Sequence, residues 1–336
     1  MKKHALAAAL ALCLLLSGCG GREPDDGALR IGIAVYKSDD TYISNMNAAF
    51  QASVDAYCKQ TGALIYLTIS DAQESQATQN DQIDRFLALD YDVLCVNLVD
   101  RTDAGRVIDK ARSAGVPLVF FNREPVLEDL KTWDRAYYVG SDARESAVLQ
   151  AGIVLERWEK APEQLDLNGD GVLQYVMLEG ESRHQDAIIR TEVSVQTLKN
   201  AGLPLERVDG GIADWDRSQA AVLTEGFLED HPGQIDLILC NNDDMALGAV
   251  DAAERMGLDF HNIVGIDGTP QGLAAVESGR MLGTVVMDYA AHGDMIFRMA
   301  RALALREDVS AVATIGEDRS VRIPMEVHVA GQASNN

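Results

Sequence analysis

From residue 29 onward the chain alternates short β-branched runs with stretches of helical apolar spacing. Leu29–Tyr36 (LRIGIAVY) reads as a strand, and 44–62 has the i, i+3, i+4 recurrence of a helix, with Gly62 placed to cap it. Residues 64–69, 93–99 and 117–121 continue as strands with helices between them. A second series begins at Tyr137–Gly140 and runs through 175–178, 205–208, 236–240, 263–266 and 284–287. Near-continuous apolar strands separated by helices predict parallel sheets covered on both faces, an α/β class. About ten strands in roughly 310 residues exceed one comfortable core, so two doubly wound parallel-sheet lobes are expected. Ligands of open α/β sheets bind beyond the carboxyl ends of strands. Here those ends carry Asp39 and Asp40, Asn122, Asn241–Asp243 and Asp267, a distribution that predicts one cleft lined from both halves.

The first residues change the picture of where such a protein works. Lys2 and Lys3 precede an apolar stretch from Ala5 to Leu16, followed by Leu16-Ser-Gly-Cys19. This is a secretory signal layout, too short to span a bilayer. The cysteine after Leu-Ser-Gly looks like a bacterial lipobox. Residues 1–18 are therefore expected to be a signal peptide, Cys19 the lipidated N-terminus and 19–28 a flexible tether. Stable anchoring takes two acyl chains. A net charge of −23 argues against nucleic acid and against electrostatic attachment to anionic lipid, leaving the lipid anchor as the membrane contact. Beyond the signal segment, Cys58, Cys95 and Cys240 are an odd set without a CxxC pair and read as free thiols.

Asp166-Leu-Asn168-Gly-Asp170-Gly-Val172-Leu-Gln174 has the oxygen spacing of an EF-hand calcium loop. Side-chain oxygens fall at positions one, three and five, Gly171 permits the sharp turn, Val172 offers its carbonyl and Gln174 an amide oxygen. Position twelve holds Met177 where a bidentate glutamate belongs, and a strand rather than a helix follows. A Ca²⁺ site here therefore needs a carboxylate from elsewhere, and the alternative is an Asx-rich turn that binds nothing.

His184, Asp186 and Arg190 open a helix after the strand ending near Gly180. They are either a plain i, i+4 ion pair with a neighbouring His or a set of mixed donors and acceptors suited to hydroxyl groups. Tyr42 and Trp215 stand in loop or helix-start positions outside apolar periodicity. They are either incidental surface aromatics or the faces between which a pyranose ring is held. No HExxH, GxSxG or Gly-rich phosphate loop is present. An enzyme is not expected, and a glycoside hydrolase using two acidic residues is the remote alternative.

Taken together these motifs resemble the galactose/glucose-binding proteins of bacterial ABC sugar uptake, in the type I periplasmic binding protein superfamily. The resemblance covers essentially the whole mature chain. It is carried by Tyr36-Lys-Ser-Asp-Asp40, Gln79–Asp84, Asn97-Leu-Val-Asp100, Phe120-Phe-Asn122-Arg-Glu-Pro125, Ala136–Gly140, the calcium loop, His184-x-Asp186-x-x-x-Arg190, Asn241-Asn-Asp243 and Gly265-Ile-Asp267. It implies lobes of 29–140 with 289–322 and of 141–288 with 323–336, joined by three hinge strands. It further implies a hydroxyl-binding set of Asp40, Asn122, His184, Asp186, Arg190, Asn242 and Asp267, with Tyr42 and Trp215 stacking. Two positions depart from the family. Met287 replaces an asparagine, which removes a donor beside the ligand. Asp236 replaces the remote calcium glutamate and is one methylene shorter, with Glu179 as an alternative contributor. The implied role is that of a monomer passing galactose or glucose to a permease and its ATPase. A second role for the same fold is a sensor presenting its ligand to a chemoreceptor or kinase.

Overall fold

The computed structural model describes residues 27–331. The signal segment and Cys19 lie outside the described residues.

Two six-stranded sheets organise the molecule. The first contains β1 (Leu29–Val35), β2 (Ile65–Asp71), β3 (Val93–Val96), β4 (Leu118–Phe121) and β5 (Ala136–Gly140). The second contains β6 (Leu173–Glu179), β7 (Leu205–Ile212), β8 (Leu237–Cys240), β9 (Ile263–Asp267) and β10 (Gly283–Met287). β11 (Ser320–Arg322) and β12 (Met325–His328) complete the first and second sheet respectively, giving orders β11-β5-β4-β3-β1-β2 and β12-β10-β9-β8-β6-β7. All pairings are parallel except that of β10 with β12. β3, β4, β8 and β9 are buried at every position, as strands covered on both faces must be.

The covering helices are α1 (Thr41–Thr61), α2 (Gln76–Ala88), α3 (Ala104–Ala114), the single turn α4 (Leu127–Leu130), α5 (Ala143–Lys160), α6 (Gln185–Asn200), α7 (Arg217–Asp230), α8 (Asp243–Arg255), α9 (Pro270–Glu277) and α10 (Tyr289–Ala304). None is long and apolar enough to cross a membrane. α10 follows a strand of the second sheet yet packs on α1 and on β3–β5 of the first. α5 follows β5 of the first sheet and packs on α6, β9, β10 and β12 of the second. The chain thus crosses between sheets after β5, after β10 and between β11 and β12. A small polar clasp ties these crossings. Ser141 Oγ donates to the Ile323 carbonyl at 2.9 Å and lies 3.1 Å from His292 Nε2. His292 Nδ1 in turn reaches the Asp288 carbonyl at 2.7 Å.

Three local readings of the sequence differ from the structure. The run at Tyr137 closes the first series rather than opening the second, because Leu118 to Phe121 pair in register with Ala136 to Val139. Apolar periodicity marks a strand but not its partner. β11 and β12 escape the pattern because three and four residues of mixed polarity carry no run. α1 starts at Thr41 rather than Ser44, since Asp40 Oδ1 accepts the Ile43 N–H at 2.8 Å and caps the helix. Gly62 closes α1 in the left-handed conformation, as its position predicted.

Candidate functional site

The strands of both sheets end at the cleft between the lobes, and the loops after them carry its lining. A small cavity of about 40 Å³ lies there. From the first lobe it receives Asp40, Tyr42 and Asn122, and from the second His184, Asp186, Arg190, Trp215, Asn242, Asp267 and Met287. All ten residues named from sequence meet around this one space. Tyr36 and Arg123 also line it and were not singled out. Both stand inside quoted motifs at the carboxyl ends of β1 and β4, and that placement was the available signal.

Local structure explains why these side chains hold still. Asp40 gives one oxygen to the α1 backbone and the other to Tyr36 Oη at 2.6 Å. Asn122 sits at φ 58°, with its side-chain oxygen accepting from Asn97 Nδ2 at 3.0 Å and its carbonyl from Tyr138 Oη at 2.8 Å. Asn242 caps α8 and reaches the Trp215 carbonyl at 3.4 Å. Trp215 is at φ 66° and Asp267 at φ 131°, backbone regions a non-glycine residue rarely occupies. Strain of this kind persists only where surrounding structure enforces it, and binding clefts are where it concentrates. A Cβ on Gly180 would stand 2.3 Å from the Trp215 ring, so glycine there lets the indole lie against the strand end.

Electrostatics assign roles to the polar groups. His184 caps α6, its Nδ1 accepting the Asp186 N–H at 3.1 Å. Burial, then the charges of Arg123, Arg190 and Arg101, push its pKa well below the ordinary value. The ring is therefore neutral and its proton sits on Nε2, a donor. Arg190 gives Nη1 to the Asn241 carbonyl at 2.9 Å and Nη2 to Met287 Sδ at 3.1 Å, and its Nη2 stands 3.9 Å from Asp186. Burial raises the pKa of Asp186, and raises that of Asp267 well above the usual range, although Arg190 opposes both shifts. Carboxylates that are desolvated and not fully paired are strong acceptors for a ligand hydroxyl. Tyr42 and Trp215 bring one aromatic from each lobe. The indole lies edge-to-face with His184 at 5.0 Å.

Toward solvent the cavity opens into the mouth of the cleft, where Arg101, Arg123 and Arg183 stand among Glu74, Asp100, Glu124 and Glu181. One ion pair spans it. Arg123 Nη2 meets Glu181 Oε1 at 2.5 Å, while Nη1 donates to the Val99 carbonyl at 2.9 Å and the guanidinium covers the Tyr36 ring at 3.8 Å.

The 166–174 loop lies at the opposite end of β6. Asp166 accepts backbone N–H groups of Gly169, Asp170 and Gly171, and the Asn168 and Asp170 side chains both contact the Gln174 amide. Asp236 is fully buried and accepts from the Leu167 and Gln174 N–H groups at 2.8 and 2.9 Å. Burial first, and Asp166 among the charges, push its pKa up. Among the described residues no three His, Cys, Asp or Glu side chains converge to hold a metal. A cation here would draw on Asn168, Gln174 and the Val172 carbonyl as much as on charged groups, and that hard-oxygen donor set fits Ca²⁺. Glu179 stands at the far end of β6 and pairs with Arg207 at 3.0 Å, away from the loop.

Two α/β lobes, three crossings between them and one cavity at the converging strand ends define a type I two-lobed binding protein. The chain belongs to the periplasmic binding protein domain family, whose model matches residues 31–308. It is 35% identical over 330 residues, 96% of each chain, to the D-galactose/methyl-galactoside binding periplasmic protein MglB of Haemophilus influenzae. It is 33% identical to a putative rhizopine-binding protein of Rhizobium meliloti over 88% of this chain and 89% of that one. Among solved structures it is similar to an ABC transporter solute binding protein of Bacillus halodurans with bound myo-inositol. That match has a TM-score of 0.75 and 29% identity, covering 91% of this chain and 96% of the other.

Proposed function

We propose that this protein captures a monosaccharide, galactose or glucose, in the interlobe cavity and presents it to the permease of an ABC importer, without catalysing a reaction. The observation that carries the reading is the lining itself. Buried acceptors (Asp186, Asp267), fixed donors (Arg190, neutral His184) and aromatic side chains from both lobes surround one small space. A pyranose has apolar C–H faces and a hydroxyl rim, which is the complement of that arrangement. The relatives add support, since galactose and myo-inositol, which two of them bind, are both polyhydroxylated six-membered rings. Lobe closure about the three crossings would be a hinge motion. A calorimetric panel of aldohexoses, pentoses and cyclitols tests the reading. Micromolar or tighter binding of galactose or glucose is expected, and no heat from any aldohexose at millimolar concentration refutes it.

Two further properties belong to the same proposal. The 166–174 loop with Asp236 holds Ca²⁺ as a structural ion, remote from the sugar. Cys19 carries the lipid that keeps the protein at the membrane face. Replacing Cys19 by serine then releases the protein from the membrane fraction, and unchanged fractionation counts against the anchor.

A further inference from the structure

Tyr42 carries more than an aromatic face. It is 7% exposed and lines the cavity, yet its phenolic oxygen has no hydrogen-bond partner. A buried hydroxyl left unsatisfied is costly, and most such groups in folded proteins are paired. The ring has little freedom to seek another partner. It sits in the first turn of α1, which Asp40 caps, and its edge meets the His292 ring at 6.1 Å and 80°. Asp267 and Met287, at the carboxyl ends of β9 and β10, form one side of the same cavity that Tyr42 lines. On that side Met287 offers no donor, and its sulfur is engaged by Arg190 Nη2 at 3.1 Å. Arg190 Nε is likewise buried without a partner.

Resting on the reading of the cavity as a monosaccharide site, we propose that the Tyr42 hydroxyl is a specificity-determining contact. It donates to one ring hydroxyl of the bound sugar, on the edge where residue 287 has no donor. That sugar hydroxyl accepts from Tyr42 and donates to Asp267. The polar reading of this edge is thus made from the first lobe, through α1, and is complete only when the lobes are together. A sugar lacking this hydroxyl leaves the phenol and the Asp267 carboxylate unsatisfied and is discriminated against.

The test is a cycle between protein and ligand. Calorimetric affinities are measured for the wild type and Tyr42→Phe with the preferred hexose and with each of its monodeoxy analogues. The variant keeps the ring, and its melting temperature reports that it folds. On the proposal Tyr42→Phe binds the parent sugar on the order of tenfold more weakly. One monodeoxy analogue, and only one, is bound equally by the two proteins. Affinities within twofold for every sugar overturn the proposal while leaving the sugar site standing. A loss of equal size for all analogues also overturns it, because that pattern belongs to packing. A wild type that binds none of the sugars overturns this proposal and the sugar reading together.

Discussion

Replacing Glu181 with glutamine removes one charge from the cleft and leaves the cavity lining intact. Arg123 is rooted in the first lobe by the Tyr36 ring and the Val99 carbonyl, and it reaches Glu181 in the second lobe at 2.5 Å. The contact exists only while the lobes are together, so it adds to the stability of the closed form alone. A hydrogen bond between charged groups contributes about 1.5–3 kcal/mol. The Glu181 side chain is 29% exposed and that of Arg123 8%, so solvent screens one partner and about 1–2 kcal/mol is the expected net. A ligand that needs the closed form binds with an affinity scaled by its population. At about 1.4 kcal/mol per decade, Glu181→Gln should weaken sugar binding roughly 5- to 30-fold. Stopped-flow Trp fluorescence should place most of the change in faster dissociation. Wild-type affinity should also fall with added salt more steeply than that of the variant. An affinity within twofold of wild type, with the melting curve unchanged, would refute the claim that this pair holds the lobes closed.

Three other outcomes follow from the same geometry. Sugar affinity should be full above the raised pKa values of Asp186 and Asp267 and decline as pH falls through them, beginning above the ordinary carboxylate range, because only the ionised groups accept hydroxyl donors without competition. Burial and the neighbouring arginines keep His184 neutral near pH 7, so it carries no charge change there. For stability Asp267 has the opposite sign. Its folded pKa exceeds the unfolded value, so its contribution is present at low pH and lost as pH rises through the folded pKa. Calorimetry and melting curves of wild type and Asp267→Asn read both, and a pH-independent affinity defeats the assignment. Chelation of calcium should lower the melting temperature and added Ca²⁺ restore it, since an ion bound only to the native state stabilises it by about 2.7 kcal/mol at a hundredfold excess over Kd. Superimposable curves with and without chelator would count against the site. Gly180→Ala should displace the Trp215 ring, because the new methyl would stand 2.3 Å from it. A shifted Trp emission and a loss of about tenfold in sugar affinity are expected, and an unchanged emission maximum contradicts the contact.

Much of the cavity was legible from sequence because its chemistry sits in short motifs at strand ends. Asp40, Asn122, Asn242 and Asp267 were marked by polar residues breaking apolar runs, a signal that needs no knowledge of partners. Tyr36 and Arg123 carry no such signal, for a physical reason. Tyr36 reads as the last apolar residue of a strand, and only the fold sets the guanidinium of Arg123 on its ring and turns both into the cleft. Apolar periodicity marks 136–140 as a strand but does not say which series it joins, since pairing depends on residues far away in the chain.

Taken alone, the sequence determined the alternation of buried strands and helices, the doubled α/β plan and the residue types available for a polyhydroxylated ligand. These follow from local periodicity and from the chemistry of each side chain. Tertiary structure decided the rest. It sorted the strands into two sheets with three crossings, turned side chains from both lobes onto one cavity and placed Arg123 against Glu181 across its mouth. It also left the Tyr42 hydroxyl buried without a partner. Each of these depends on pairs of groups distant in sequence, whose burial and charge exist only once the chain has closed around them.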